Sequence, residues 1–200
     1  MSRPGQDPEE GLVHVVVCGG TPGEWSRMSV DDWATRFGTI ARGVSGVGVR
    51  WVTLFPHHGA PDGSTTVAEA LTAVPNVSRV PAPGGDRWLW RRDDRLAVVV
   101  DTCPDGHSRF ARVVESLRVS SPGFDEDALS LALTAPVGEP ADLVLILGPP
   151  DELPASLVWE LSYSELVFLD IVWGDLQPVH LEMAIDDFNR RHRRFGGLDS

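Results

Sequence analysis

The stretch Leu12-Val13-His14-Val15-Val16-Val17-Cys18, followed at once by Gly19-Gly20, decides the fold of this 200-residue chain. An apolar, β-branched run that ends at two glycines is typical of a strand buried on both faces, as in a parallel sheet. The sequence predicts further strands at 49–55, 77–80, 96–101 and 143–147. Trp88 and Trp90 alternate with Leu89 and Arg91, which favours an exposed edge strand or a hairpin.

Helical segments alternate with these strands. Residues 31–44 carry apolar side chains at helical spacing, and Ser29 and Asp32 are placed to cap the start of that helix. The acidic run Asp125–Asp127 indicates another helix start, where the helix dipole favours negative charge. Further helices are predicted at 67–74, 109–118 and 181–194. The alternation predicts an α/β fold: a single domain with a mainly parallel central sheet flanked by helices.

Composition excludes some partners. A net charge of −12 argues against nucleic acid or an anionic membrane surface as a direct partner. Residues 1–11 are polar and are predicted to form a disordered tail, so that the domain spans 12–197. No segment approaches the ~18 continuous apolar residues of a membrane span, so we expect no membrane segment and a cytoplasmic location. Cys18 and Cys103 form no Cys-x-x-Cys motif and are expected to be buried free thiols.

The last forty residues carry an ordered set of motifs. They are Trp159-Glu160-Leu161-Ser162-Tyr163-Ser164-Glu165-Leu166, Phe168-Leu169-Asp170-Ile171-Val172-Trp173 and Arg193-Arg194-Phe195-Gly196-Gly197. This stretch resembles the C-terminal end of the cis-prenyltransferases, the undecaprenyl diphosphate synthase family. The resemblance implies that family's fold. It also implies its activity, the Mg²⁺-dependent condensation of isopentenyl diphosphate with an allylic diphosphate.

The loop after the first strand departs from the family's pattern. Beginning at His14, the family has His-Val-x-x-x-x-Asp-Gly-Asn-x-Arg-Trp, whose Asp organises Mg²⁺ and whose Asn and Arg serve the substrates. Gly20 replaces that Asp, Pro22 the Asn and Glu24 the Arg. A proline donates no N–H and a glutamate repels an anion. The resemblance therefore implies that this loop has lost diphosphate and metal binding.

Residues 146–154 depart in the same way. The family has Arg-Thr-x-Gly-x-x-Arg-x-Ser here, and its two arginines and serine bind the homoallylic diphosphate. Ile146 and Glu152 replace the arginines and Pro154 replaces the serine, which removes two guanidinium groups and adds a carboxylate. Between 64 and 96, where family members build an apolar tunnel, one short helix and the loop 81–86 are predicted. We therefore expect a fold that is shortened in the tunnel region.

The C-terminal positions of the family are retained. The resemblance implies that Glu165 is a metal ligand acting with a partner, and that Arg194 and Gly196 reach into the neighbouring subunit's site. A solvated helix end, favoured by the helix dipole, is the alternative for the arginine. The resemblance also implies that five retained apolar and aromatic residues build a subunit interface, and a role in the core is the alternative. These residues are Trp159, Tyr163, Leu166, Phe168 and Trp173.

The losses fall on the chain's own site, and the retained residues fall on the implied interface and tail. We therefore expect a non-catalytic partner subunit of a heteromeric cis-prenyltransferase, similar in logic to the Nogo-B receptor type of subunit. It would hold no cofactor of its own. A catalytic homologue would hold Mg²⁺ and the isoprenyl diphosphates.

Two alternatives stay open: a stand-alone enzyme with an altered substrate, and a homodimeric pseudoenzyme with a binding or regulatory role. The first needs a new anion site, for which the candidates are Arg87, Arg91, Arg92 and Arg95. His57, His58 and Asp62 are candidate metal ligands, but adjacent histidines in such a loop are more often solvated. The run 19–23 is weakly similar to a phosphate-binding loop and more often forms a tight turn.

Overall fold

The computed structural model describes residues 11–59, 64–162 and 164–195, without the side chains of 64, 65 and 192–195. The strands of the described chain are β1 (His14–Cys18), β2 (Trp51–Phe55), β3 (Val77–Val80), β4 (Arg87–Arg91), β5 (Ala97–Asp101), β6 (Leu143–Leu147) and β7 (Glu165–Leu169). The helices are α1 (Pro22–Trp25), α2 (Val30–Gly43), α3 (Ser64–Ala73), α4 (Gly106–Ser120), α5 (Glu126–Thr134) and α6 (Pro178–Phe195). Two short 3₁₀ turns, Glu160–Ser162 and Trp173–Asp175, flank β7.

The strands form one seven-stranded sheet in the order β3-β4-β5-β2-β1-β6-β7. The five strands from β5 to β7 in this order are parallel to one another, whereas β4 is antiparallel to both β3 and β5. The predicted α/β class and the mainly parallel sheet are therefore confirmed. Every residue of β1 is buried, as expected of a central strand covered on both faces.

Alternate residues of β1 face two different layers. Val15 and Val17 belong to the larger core cluster, which includes apolar side chains of α2, α3 and α6. Val16 and Cys18 point to the opposite face and pack with Phe55 and neighbouring side chains. This alternation follows from the two-residue period of a strand. The two faces of β1 thus pack against different sets of side chains, and loops follow at its carboxyl end.

Local signals placed most of the helices correctly. Ser29 and Asp32 form the predicted capping box of α2, and Asp125 caps α5 by accepting from the Ala128 N–H. The buried residues of α4 are Gly106, Arg109 and Val113. The arginine is buried because it finds an acidic partner, Glu160, inside the protein.

The two edges of the sheet differ in part from what the sequence predicts. Trp88 lies in a β3–β4 hairpin, as one alternative predicted, but it is buried because β3 and not β4 forms the sheet edge. β7 was not predicted as a strand; its side chains are mostly half-buried at the other edge. The part of the chain from 64 to 96 contains only α3 and this hairpin.

Two more predictions concern the N-terminal tail and membrane-spanning helices. The predicted disordered tail, 1–11, lies outside the described residues except for Gly11. Across the described ranges, every helix is too short or too polar to cross a membrane.

Candidate functional site

The carboxyl ends of β1, β2 and β6 lie next to one another at the middle of the sheet. The chain leaves β1 towards β2 on one side, whereas β6 pairs with β1 on the other side. Ligands of open α/β sheets bind at such a switch in strand order, outside the carboxyl ends of the strands. Backbone hydrogen bonds join the loops here: the Gly19 N–H donates to Phe55 O at 3.0 Å, and the His57 N–H donates to Gly20 O at 2.7 Å.

Gly20 lies at the centre of this surface, and no side chain fits there. Its φ of 72° lies in the left-handed region that favours glycine. A Cβ at this position would lie 2.8 Å from Trp25 Nε1 and 2.9 Å from Trp173 Cγ. The Trp25 indole is held in place because its N–H donates to Gly19 O at 3.1 Å. The two packed indoles therefore occupy the space that a metal-binding aspartate would need.

Glu24 is engaged within its own turn. Its carboxylate accepts from the Thr21 N–H at 2.8 Å and from the Thr21 hydroxyl at 3.0 Å. In return, the Glu24 N–H donates to the threonine hydroxyl at 3.1 Å, and buried Pro22 opens the short helix. Donors that could hold a phosphate are therefore bonded to the chain's own carboxylate. The run 19–23 is a capped structural turn.

The loop after β6 holds the other replaced positions. Ile146 is fully buried inside β6 and packs in the core beside Cys18 and Phe55. Pro154 is also buried, whereas Glu152 is exposed to solvent. At two of the three positions the side chain thus belongs to the protein interior and cannot contact a ligand in the loop.

Glu152 lies close to both histidines of the loop after β2. One ligand atom from each of His57, His58 and Glu152 can be chosen so that all lie within 4.8 Å of one another. His57 is only 4% exposed, so the expectation that both histidines are solvated was wrong; only His58 is exposed. Burial and then the neighbouring His58 lower the pKa of His57, against the opposing effect of the Glu152 carboxylate. Asp62, the third ligand considered from the sequence, lies outside the described residues.

The two imidazole rings make a close, specific contact. Their Nδ1 atoms are 2.7 Å apart and the rings are nearly perpendicular, at 84°. The other nitrogen, His57 Nε2, is buried and has no hydrogen-bond partner among the described residues. It faces the loop after β6, since a Cβ on Gly148 would lie 3.6 Å from it.

A buried charge network lies below the site, on the α4 and α5 side of the sheet. Arg109 donates to both carboxylate oxygens of Glu160, at 2.7 and 2.9 Å, and lies over the Phe55 ring. Asp101 accepts from Arg87 Nε at 3.0 Å and lies 3.6 Å from Arg109 Nη1. Two cations and two carboxylates thus balance in the interior. Sequence patterns missed this network, because the helical spacing of apolar residues gives no signal for a buried arginine.

The network closes the space on this side of the sheet. A cavity of about 20 Å³ remains between His14, Thr53, Trp159 and Glu160, among other residues. That volume has room for about one water molecule and none for a prenyl chain.

The four arginines considered for a new anion site do not converge. Arg87 is buried and bonded to Asp101, whereas Arg91, Arg92 and Arg95 are exposed in and after β4. Arg92 is further engaged by Asp93 at 3.5 Å. This arrangement offers no common pocket for an anion.

The cysteines differ in exposure. Cys18 is buried in β1, and burial raises its pKa to about 12. Cys103 follows β5 and is only half-buried, so the prediction of two buried thiols was wrong for this residue. Its thiol lies 3.2 Å from the Arg112 guanidinium.

The residues retained from the C-terminal motifs are divided between core and surface. Leu166 and Phe168 are half-buried against the second core face. Trp173 is buried: its ring lies 5.5 Å from that of Trp25, and the Arg36 guanidinium lies 4.4 Å over it. The core alternative therefore describes this tryptophan.

The remaining retained positions lie partly outside the description. Glu165 begins β7, where its N–H donates to Asp142 O at 2.9 Å, and its role as a metal ligand stays a prediction. Tyr163, Gly196 and the side chain of Arg194 lie outside the described residues. Trp159 is half-buried and its ring contacts that of Phe110.

The fold is similar to that of a solved structure, a probable undecaprenyl diphosphate synthase from Campylobacter jejuni. The TM-score is 0.61 over 94% of this chain and 99% of that one, at 16% sequence identity. The chain therefore has the undecaprenyl diphosphate synthase fold.

Sequence comparisons point to the same family over the C-terminal half of the chain. A family model described as "Putative undecaprenyl diphosphate synthase" matches residues 100–196. Isoprenyl transferase 2 of Bradyrhizobium diazoefficiens is 40% identical over 117 residues, which are 55% of this chain and 46% of that protein. A ditrans,polycis-undecaprenyl-diphosphate synthase ((2E,6E)-farnesyl-diphosphate specific) of Lactiplantibacillus plantarum is 34% identical over 97 residues, 46% of this chain and 37% of that protein. The chain thus spans less than half the length of these relatives, and the matches support the cis-prenyltransferase family.

Proposed function

We propose that this chain is a non-catalytic subunit of a heteromeric cis-prenyltransferase that condenses isopentenyl diphosphate with an allylic diphosphate. A catalytic homologue in the same cytoplasmic complex supplies the diphosphate sites and the prenyl tunnel. This chain supplies a folded partner surface and the tail that contains Arg194 and Gly196. A role at the partner's metal site is proposed for Glu165.

The observation that carries the proposal is the packing around Gly20. A chain that had lost one catalytic side chain by substitution would keep an open pocket at that position. Here the Trp25 and Trp173 rings fill the space, and the backbone has a φ that disfavours any residue with a Cβ. The loop is thus built as part of the core, which favours a role that does not require substrate there.

Mg²⁺ does not fit the chain's own site. A hard divalent cation needs carboxylate or carbonyl oxygens free to coordinate it. Gly20 offers no carboxylate, and Glu24 is already bonded to the Thr21 N–H and hydroxyl. We therefore assign the ion to the partner subunit and route no chemistry through this loop.

The C-terminal half of the chain supports the proposed contact with a partner subunit. The matched segment, 100–196, contains β7 and α6, and among the described strands β7 pairs with β6 alone. An open parallel edge and a following helix are a suitable surface for a second subunit. The positive run at 190–194, near the carboxyl end of α6, supports the proposal because cationic side chains are the groups that bind a diphosphate.

Co-expression with a cis-prenyltransferase homologue from the same genome tests the proposal. We expect the two chains to co-purify and the mixture to transfer isopentenyl units, while this chain alone is inactive with isopentenyl and farnesyl diphosphates. Arg194→Ala should lower transfer by at least tenfold without loss of co-purification, because it removes a charge-assisted phosphate contact of the order of 1.5–3 kcal/mol.

Arg118→Ala is the matched control. This arginine is exposed on α4 and pairs with Glu115. Its substitution therefore removes the same charge at a position away from the proposed interface. Equal losses in the two variants would contradict a specific role of the tail. Failure to co-purify would refute the partner role and favour a homodimeric pseudoenzyme. Activity of the purified chain alone would favour a stand-alone enzyme.

A further inference from the structure

We infer that His57, His58 and Glu152 form a zinc-binding site that ties the loop after β2 to the loop after β6. The three residues come from parts of the chain almost a hundred residues apart. The fold brings their ligand atoms within 4.8 Å of one another at the carboxyl edge of the sheet. This inference is independent of the proposed function.

The buried imidazole carries the argument. His57 is 4% exposed, and its Nε2 has no hydrogen-bond partner among the described residues. A buried polar atom without a partner costs free energy, and an ion or a water that binds to it is one way in which native proteins offset that cost. The atom faces Gly148, at the start of the same loop that carries Glu152. His57 Nε2 and the Glu152 carboxylate therefore lie in the same part of the site.

The donor set identifies the class of metal. Two imidazoles and one carboxylate suit zinc and related transition-metal ions, and leave a fourth position open to water. Magnesium prefers an all-oxygen set and is not expected to compete. His57 Nδ1 is already engaged with His58 Nδ1 at 2.7 Å, which leaves His57 Nε2, without a partner among the described residues, as the nitrogen that would bind the ion.

The location suggests what the ion does. In this fold the loops after β1, β2 and β6 surround the switch in strand order, where a ligand would bridge them. The His57 N–H already bonds to Gly20 O, so an ion held by His57 and Glu152 would join all three loops. A metal ion held here would therefore fasten the three loops to one another at the carboxyl edge of the sheet.

Calorimetric titration of the full chain, stripped with a chelator, tests the site. We expect one Zn²⁺ per chain, a rise in Tm with added Zn²⁺, and no response to Mg²⁺. Glu152→Gln should weaken zinc binding by at least about tenfold, because even second-shell substitutions cost about 10–100-fold. Both His58 and Glu152 are exposed, so their substitution should leave the fold intact.

Asp151→Asn is the matched control, since it removes a neighbouring exposed carboxylate outside the cluster. Co²⁺ provides a second readout, because its visible absorption should appear with the wild type and Asp151→Asn and weaken with Glu152→Gln and His58→Ala. Absence of stoichiometric zinc binding by the wild type would overturn the inference. Unchanged affinity in both Glu152→Gln and His58→Ala would also overturn it, by placing the zinc elsewhere.

Discussion

His14 should make the stability of this protein depend on pH in a window where most carboxylates do not titrate. The side chain is 4% exposed at the start of β1. Its Nδ1 lies 3.1 Å from Glu139 O, and because a carbonyl only accepts, Nδ1 carries the proton. Nε2, 2.9 Å from the Thr53 hydroxyl, then accepts from it. The neutral ring is thus fully bonded, and a second proton would break one of these bonds.

Burial, the largest cause, lowers the pKa of His14 from its ordinary value of 6.5 to about 4. Between these two values the unfolded chain binds more protons than the folded one, so stability falls as the pH falls. The contribution is fully present above pH 6.5 and is lost as the pH falls through 4. The complete loss is about 3 kcal/mol, of which about 2 kcal/mol is lost between pH 7.5 and pH 5.

Urea unfolding at pH 7.5 and at pH 5 measures this loss. With an m-value of about 2 kcal/mol/M, the His14 contribution moves the midpoint down by about 1 M on acidification. His14→Gln should remove that part of the pH dependence, whereas His107→Gln should keep it, because His107 is exposed. The same midpoint shift in the wild type and in His14→Gln would show that other groups cause it and would refute the reasoning.

Three further outcomes follow from packing and burial. Gly20→Asp, which introduces the residue of the family pattern, should lower the free energy of unfolding by at least about 2 kcal/mol and should produce no prenyl transfer. The control Gly174→Asp, at an exposed glycine with open space around it, should lower the free energy of unfolding much less. Glu160→Gln should cost about 3 kcal/mol in chemical denaturation, since it leaves a buried guanidinium short of negative charge, and a cost below 1 kcal/mol would contradict the buried pair. A maleimide should label Cys103 in the native protein within minutes and Cys18 only after unfolding. Mass spectrometry of peptides measures the labelling at each cysteine, and rapid labelling of Cys18 in the native protein would contradict its burial.

The sequence predicted the sheet well because its strands are continuous apolar runs. β1 and β6 are buried on both faces, so they give strong signals that do not depend on their neighbours. β7 gave no such signal, because it lies at an edge and most of its side chains are half-buried. Its pairing with β6 is a tertiary interaction, which a local pattern does not contain.

The candidate site was harder to predict, since its properties depend on contacts between distant segments. Sequence reasoning found that Gly20 and Glu24 differ from the family residues. It did not find that two tryptophans fill the space beside the glycine, or that the glutamate caps its own turn. It considered His57 with a nearby aspartate, whereas the fold brings Glu152 from a different loop.

These contacts predict that the charged residues of the family pattern could not be introduced here one at a time without loss of stability. An arginine in place of Glu24 would leave the Thr21 N–H without its carboxylate acceptor and would open the capped turn. An arginine in place of Ile146 would bring an unpaired charge into the core beside Phe55. Each restored side chain therefore destabilises the fold before a second one could help to bind an anion. Such coupling is expected of loops whose side chains pack in the core, and it supports the proposed non-catalytic role over a weakened form of the family's chemistry.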